Sequence, residues 1–193
     1  TNTSTGDPAA PSDILTAMFF DIAGDPTLTP LSAKICQTCT ITYGGTTDAG
    51  LSVGGEWAYK YSATDLPYGA NYGISSSGLG LFGPGDLFGG TNLAGPVTPD
   101  GVQYGITTTS NTAANDNGGL SGNPLISNQV IFTLSGLSND FSLSSISNVT
   151  FQYGTALSEN PTPVPEPGTV LLLGSGVLAI AIARRRRALG NVM

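Results

Sequence analysis

The sequence predicts an all-β body, an antiparallel β-sandwich or jelly-roll-like domain, followed by a Pro-rich linker and one short C-terminal transmembrane helix. Three observations lead there. Charged residues make up only 10% of the chain, too few for the solvated faces of long helices, which draw on Glu, Lys and Arg. Glycine accounts for 27 of 193 residues, about twice its usual share, as a chain with many turns requires. Between the glycines lie short runs of alternating apolar and polar residues, the period of strands.

Residues 1–12 are polar, carry Pro8 and Pro11, and are expected to be loose. Residues 13–157 form the expected β domain. Residues 14–22 are rich in β-formers without clean alternation, which predicts a strand buried on both faces. Asp25-Pro26 marks a turn. Residues 32–43 read as one or two strands around Cys36 and Cys39. Over residues 56–61, Trp57, Tyr59 and Tyr61 alternate with Glu56, Ala58 and Lys60, predicting a half-buried strand. Residues 71–75 and 101–109 read as further strands. Two similar hexapeptides fill residues 81–92, too few copies for a solenoid. Residues 112–123 form a Gly/Asn loop. The last two strands carry Val130, Phe132 and Leu134 on one face, then Val149, Phe151 and Tyr153. Residues 158–163 read as a linker.

Charge excludes one class of partner. Before Arg184, two lysines against thirteen acidic residues leave a net charge of −11. An acidic surface without a basic patch repels phosphate backbones, so no nucleic acid is expected as a partner. Histidine is absent, which removes the commonest general base and zinc ligand. A glycosidase-like enzyme would have to pair Glu56 or Glu159, the only glutamates of the body, with a second carboxylate within about 5–10 Å. The expectation is a chain with no catalytic residues.

Three other readings concern cross-linking or binding. Cys36 and Cys39 are expected to form a local disulfide if the chain passes an oxidising compartment; a redox motif would require a βαβ context, and a metal site two further ligands. No metal or cofactor is expected. Calcium is the alternative, since Asp86, Asp100, Asn115, Asp116 and Asn117 supply oxygen in Gly-rich loops, although turn chemistry explains the same residues. Trp57, Tyr59 and Tyr61 could stack on sugar rings, against a plain reading as core. The first residue is Thr1, which fits a removed leader or a piece of a longer protein, so export is argued from the other end.

That end is the most informative part of the chain. Val164, Pro165, Glu166 and Pro167 precede an uncharged run, residues 170–183, and then Arg184, Arg185, Arg186 and Arg187. Fourteen helical residues span about 21 Å, short of the roughly 30 Å hydrocarbon core. Snorkelling arginines and a thinned bilayer can make up the difference. Positive residues beside such a helix stay cytoplasmic, which places the acidic body outside, the arginines inside as a stop-transfer cluster and residues 189–193 as a cytoplasmic tail. Four prolines within residues 160–167 favour an extended, polyproline-like backbone, the form a processing enzyme accepts.

Residues 164–188, in the order Val-Pro-Glu-Pro, apolar helix, arginine cluster, resemble the PEP-CTERM sorting domain of Gram-negative bacteria. The resemblance implies an exosortase as partner, transient residence in the inner membrane, and delivery to the cell surface or extracellular matrix in association with exopolysaccharide or biofilm. The body is similar to one group of exosortase-dependent surface proteins at residues 15–21, 54–59, 73–90 and 146–155, a likeness that supplies no activity. The alternative function is a carbohydrate-binding or calcium-dependent adhesive module.

Overall fold

The structure is a computed structural model, and it describes residues 1–3, 6–82, 99, 101–111, 119–159 and 161–164. The chain divides into two compact units, Thr1–Pro163 and Val164–Met193. Of the second, only Val164 is among the described residues. The transmembrane helix expected over residues 170–183 therefore lies outside them; within them no helix is long and apolar enough to cross a membrane.

Among the described residues, nine strands and short 3-10 turns build the first unit, as the all-β expectation requires. The strands are β1 Leu15–Ile22, β2 Thr29–Ile35, β3 Ala58–Tyr61, β4 Tyr72–Ser75, β5 Ile106–Thr107, β6 Ile126–Ser127, β7 Val130–Ser135, β8 Ile146–Tyr153 and β9 Pro161–Pro163. Seven form one sheet around β1, which pairs antiparallel with β4, β5 and β8. β3 lies beyond β4, β6 runs parallel to β5, and β9 borders β8. The other two, β2 and β7, form an antiparallel ribbon.

β1 is covered on both faces. Met18, Phe20 and Ile22 face a core shared with Ala33 and Ile35 of the ribbon. Ala17 and Phe19 face a second cluster with Ala58, Leu66, Ala70, Leu79 and Phe82. Simple alternation would send Leu15 to that second face. A register shift between Leu15 and Ala17 turns it back to the first, since one extra residue inverts every side chain before it. Gly73 of β4 belongs to this packing: a Cβ there would meet the Phe19 ring at 3.0 Å.

The half-buried strand expected at residues 56–61 is instead covered on both faces at its start. Trp57 is 1% exposed and packs edge-on against Phe132, with ring centroids 4.8 Å apart. Ala58 on the opposite face is 0% exposed. With Trp57 and Tyr59 both buried, the three aromatics form no sugar-stacking platform; Tyr61 alone is open, at 48%. The strand expected over residues 101–109 shrinks to Ile106–Thr107, because Gly105 N–H turns back to Val102 O and Tyr104 takes a φ of 55°. The start of the chain is tied down as well. Asn2 is buried, its N–H donating to Asn128 O at 2.7 Å and its amide to Ile106 O at 3.2 Å. Asp13 accepts from the N–H groups of Ala9 and Ala10.

Burial raises the pKa of four phenols, Tyr59, Tyr68, Tyr72 and Tyr153, and two of them furthest. Burial pushes Tyr59 up to about 12, with Tyr72 and Tyr61 adding to it. Burial likewise pushes Tyr72 to about 12, helped by the charge of Asp25, and the Tyr72 hydroxyl donates to Pro26 O at 2.7 Å. An unfolded tyrosine ionises near pH 10. Both phenols therefore contribute stability that is fully present below pH 10 and lost as pH rises through about 12. An alkaline titration read by tyrosinate absorbance is expected to leave these two protonated past the pH at which an unfolded tyrosine ionises. Tyr72→Phe is expected to flatten the fall in melting temperature over the same window.

Candidate functional site

The polar face of β8 organises the turn that leads out of the body. Alternation puts Val149, Phe151 and Tyr153 on one face, and they do pack on the main core. A polar opposite face would ordinarily meet water, yet Thr150 is 4% exposed and Gln152 0%. The covering element is the loop around Pro67–Gly69, held by Asn148, whose amide donates to Tyr68 O at 3.0 Å and to Asp21 Oδ2 at 3.1 Å. The Tyr68 hydroxyl donates to Gln152 Oε1. On its other side the Gln152 amide donates to the carbonyls of Tyr153 (2.7 Å), Glu159 (3.1 Å) and Ala156 (3.2 Å). Buried polar groups must be paired, and here the pairing gathers the turn after β8 around one side chain.

Glu159 closes that turn. Its Oε2 accepts from Thr155 N–H at 2.6 Å and Ala156 N–H at 2.8 Å. Gly154, at a φ of 81°, leaves the space: a Cβ there would fall 2.2 Å from the same carboxylate. The backbone then reverses into β9, whose Pro161, Thr162 and Pro163 pair with Gln152, Phe151 and Thr150. Residues 158–163, read as a linker, thus include an edge strand of the sheet. Proline is tolerated at a sheet edge because the missing N–H takes no ladder position from a neighbour, and Pro161 and Pro163 leave that edge short of donors for further strands. Val164 comes next, 42% exposed.

The other expected sorting residues, Pro165, Glu166, Pro167, Arg184, Arg185, Arg186 and Arg187, lie outside the described residues. So do the calcium candidates Asp86, Asp100, Asn115, Asp116 and Asn117. Among the described residues no three metal-ligating side chains come together. Cys36 and Cys39 sit just beyond β2, joined by a disulfide across a turn in which Cys39 N–H donates to Cys36 O at 3.1 Å. An apolar cleft of about 330 Å³ between β1, β7 and β8, lined by Phe20, Phe132, Leu134 and Val149 among others, contains no titratable side chain. Gln152, Tyr68 and Glu159 carry no signal in the sequence: a glutamine alternating with aromatics reads as the wet face of a strand.

The family model described as the PEP-CTERM protein-sorting motif matches residues 163–187. The chain carries a PEP-CTERM sorting motif. It implies export, membrane-associated sorting toward the cell surface, and processing by an exosortase, a membrane enzyme. No curated protein and no solved structure matches the chain. The PEP-CTERM match opens on Pro163, the last residue of β9, so the sorting motif begins inside the folded sheet.

The disulfide and the buried glutamine can each be tested. Cys36 and Cys39 are expected to resist alkylation until reduced, and Cys36→Ser with Cys39→Ser to lower stability by about 2 kcal/mol without unfolding the body, because so small a loop removes little entropy from the unfolded chain; complete labelling without reductant would contradict this. Gln152→Leu strips partners from the Tyr68 hydroxyl and from the carbonyls of Tyr153, Ala156 and Glu159. It is expected to cost about 1–3 kcal/mol in urea denaturation followed by the emission of Trp57, the single tryptophan.

Proposed function

We propose that this chain is an exported cell-surface or extracellular-matrix protein that an exosortase cuts near Pro165, Glu166 and Pro167, leaving a non-catalytic β body associated with exopolysaccharide or biofilm. The observation that carries the reading is the PEP-CTERM match over residues 163–187, with four arginines closing an uncharged apolar run. Glu166 is the only charge between Glu159 and Arg184, a distinct recognition point beside that run. The short run anchors a precursor poorly in a bilayer, as suits a segment that is discarded. The arginines keep the tail cytoplasmic and the body outside.

A passive role for the body is supported by its chemistry. It carries no histidine, and Glu159 is committed to the N–H groups of Thr155 and Ala156. An acidic surface also suits a hydrated matrix in which the protein must stay soluble.

The mature protein is expected to lack the stretch from about Gly168 onward. Glu166→Ala is expected to leave a full-length form in the inner membrane. Mass spectrometry of surface protein that recovers an intact Arg184–Met193 terminus would leave a plain tail anchor in place of a sorting signal.

A further inference from the structure

β9 joins the sorting motif to the fold in a way that bears on processing. An enzyme that cuts near Pro165–Pro167 has to take extended backbone on the upstream side of the cut, and extended substrates are commonly held by strand pairing. The upstream residues are Pro161, Thr162 and Pro163, and β8 already holds them. Only Val164 and Pro165 separate the end of β9 from Glu166. The enzyme and β8 therefore compete for the same three residues.

The hold of β8 on them is graded. β9 is three residues long and lies at a sheet edge, and two of the three are prolines without an N–H. Such a strand belongs to the low-stability end of a fold, where local opening costs far less than unfolding. Behind it stands a firmer clasp. The Gln152 amide holds Ala156 O and Glu159 O, and the Glu159 carboxylate holds two turn N–H groups. Opening β9 alone leaves that clasp closed, and losing the clasp removes the turn that returns the chain to β8.

We propose that β9 is a latch, a strand that must leave β8 before the sorting motif can be processed, with the Gln152–Glu159 clasp setting how readily it opens. The inference rests on the reading that the motif is cut. In it the folded body regulates its own maturation: a body with an intact clasp presents its motif slowly, and one with a broken clasp presents it fast.

The test uses the full-length chain in membranes that contain the processing enzyme. Phe151 and Thr162 face each other across the ladder, and opposed residues of an antiparallel pair lie about 4.5–5.5 Å apart, within the span of a disulfide. Phe151→Cys with Thr162→Cys, in a background of Cys36→Ser and Cys39→Ser, locks β9 when oxidised. Cleavage of the oxidised form is expected to be about tenfold slower, and dithiothreitol to restore it, since a cross-linked strand cannot open. A Gly-Ser spacer between Pro163 and Val164 supplies a free upstream strand and is expected to make cleavage of the locked form indifferent to dithiothreitol. Glu159→Ala, without the added cysteines, is expected to be cleaved faster than the parent. Equal cleavage of oxidised and reduced forms, with Trp57 emission reporting a folded body, overturns the latch while leaving processing intact. If the locked form does not fold, Glu159→Ala decides alone, and an unchanged rate overturns the latch. A parent chain that is not cut at all removes the processing reading itself.

Discussion

β1 is sandwiched: apolar side chains leave it in both directions and both sets are buried. A strand of this kind cannot lie at a surface, because turning either face to water would expose several large side chains at about 1.5–3 kcal/mol each. It therefore needs neighbours along both edges and covers over both faces. β4 and β8 supply the edges. Ala33 and Ile35 of the ribbon contribute to one cover, and Leu66, Ala70, Leu79 and Phe82 to the other. The register shift after Leu15 lets one strand serve both layers without leaving an apolar residue on the wrong side.

Once β1 is sandwiched, β8 inherits the same condition. Its apolar face joins the main core and its polar face comes to lie under the Tyr68 loop. A buried glutamine is costly unless every donor and acceptor is met. Gln152 meets that demand by drawing in the turn that comes after β8. The tether between body and sorting motif is thus a consequence of core packing: the side chain that fills the space beneath Tyr68 also fixes where the chain turns and where β9 pairs.

This arrangement links two properties that are usually treated apart. A sorting signal is read as a linear tag, recognised by its residues in order. Here the tag begins on the last residue of a paired strand, so its accessibility depends on the stability of the sheet edge. The prolines favour the extended backbone an enzyme accepts, and they fit this edge because their outward positions take no bond from the β8 ladder.

What the sequence determined by itself was what local chemistry can encode. Few charges, abundant glycine and two-residue periodicity specify an all-β body. Proline, glutamate, an uncharged run and consecutive arginines specify a sorting signal in linear order, legible without any fold. The tertiary structure alone decided which faces were wet. Trp57 and Ala58 point opposite ways and are both buried, because a second layer covers the face that alternation assigns to solvent. Gln152 is buried because Tyr68, 84 residues away in the chain, covers it. Residues 161–163 have the composition of a linker and are a strand because β8 offered them an edge. Periodicity reports that two faces of a strand differ; it carries no information on which distant segment will cover each.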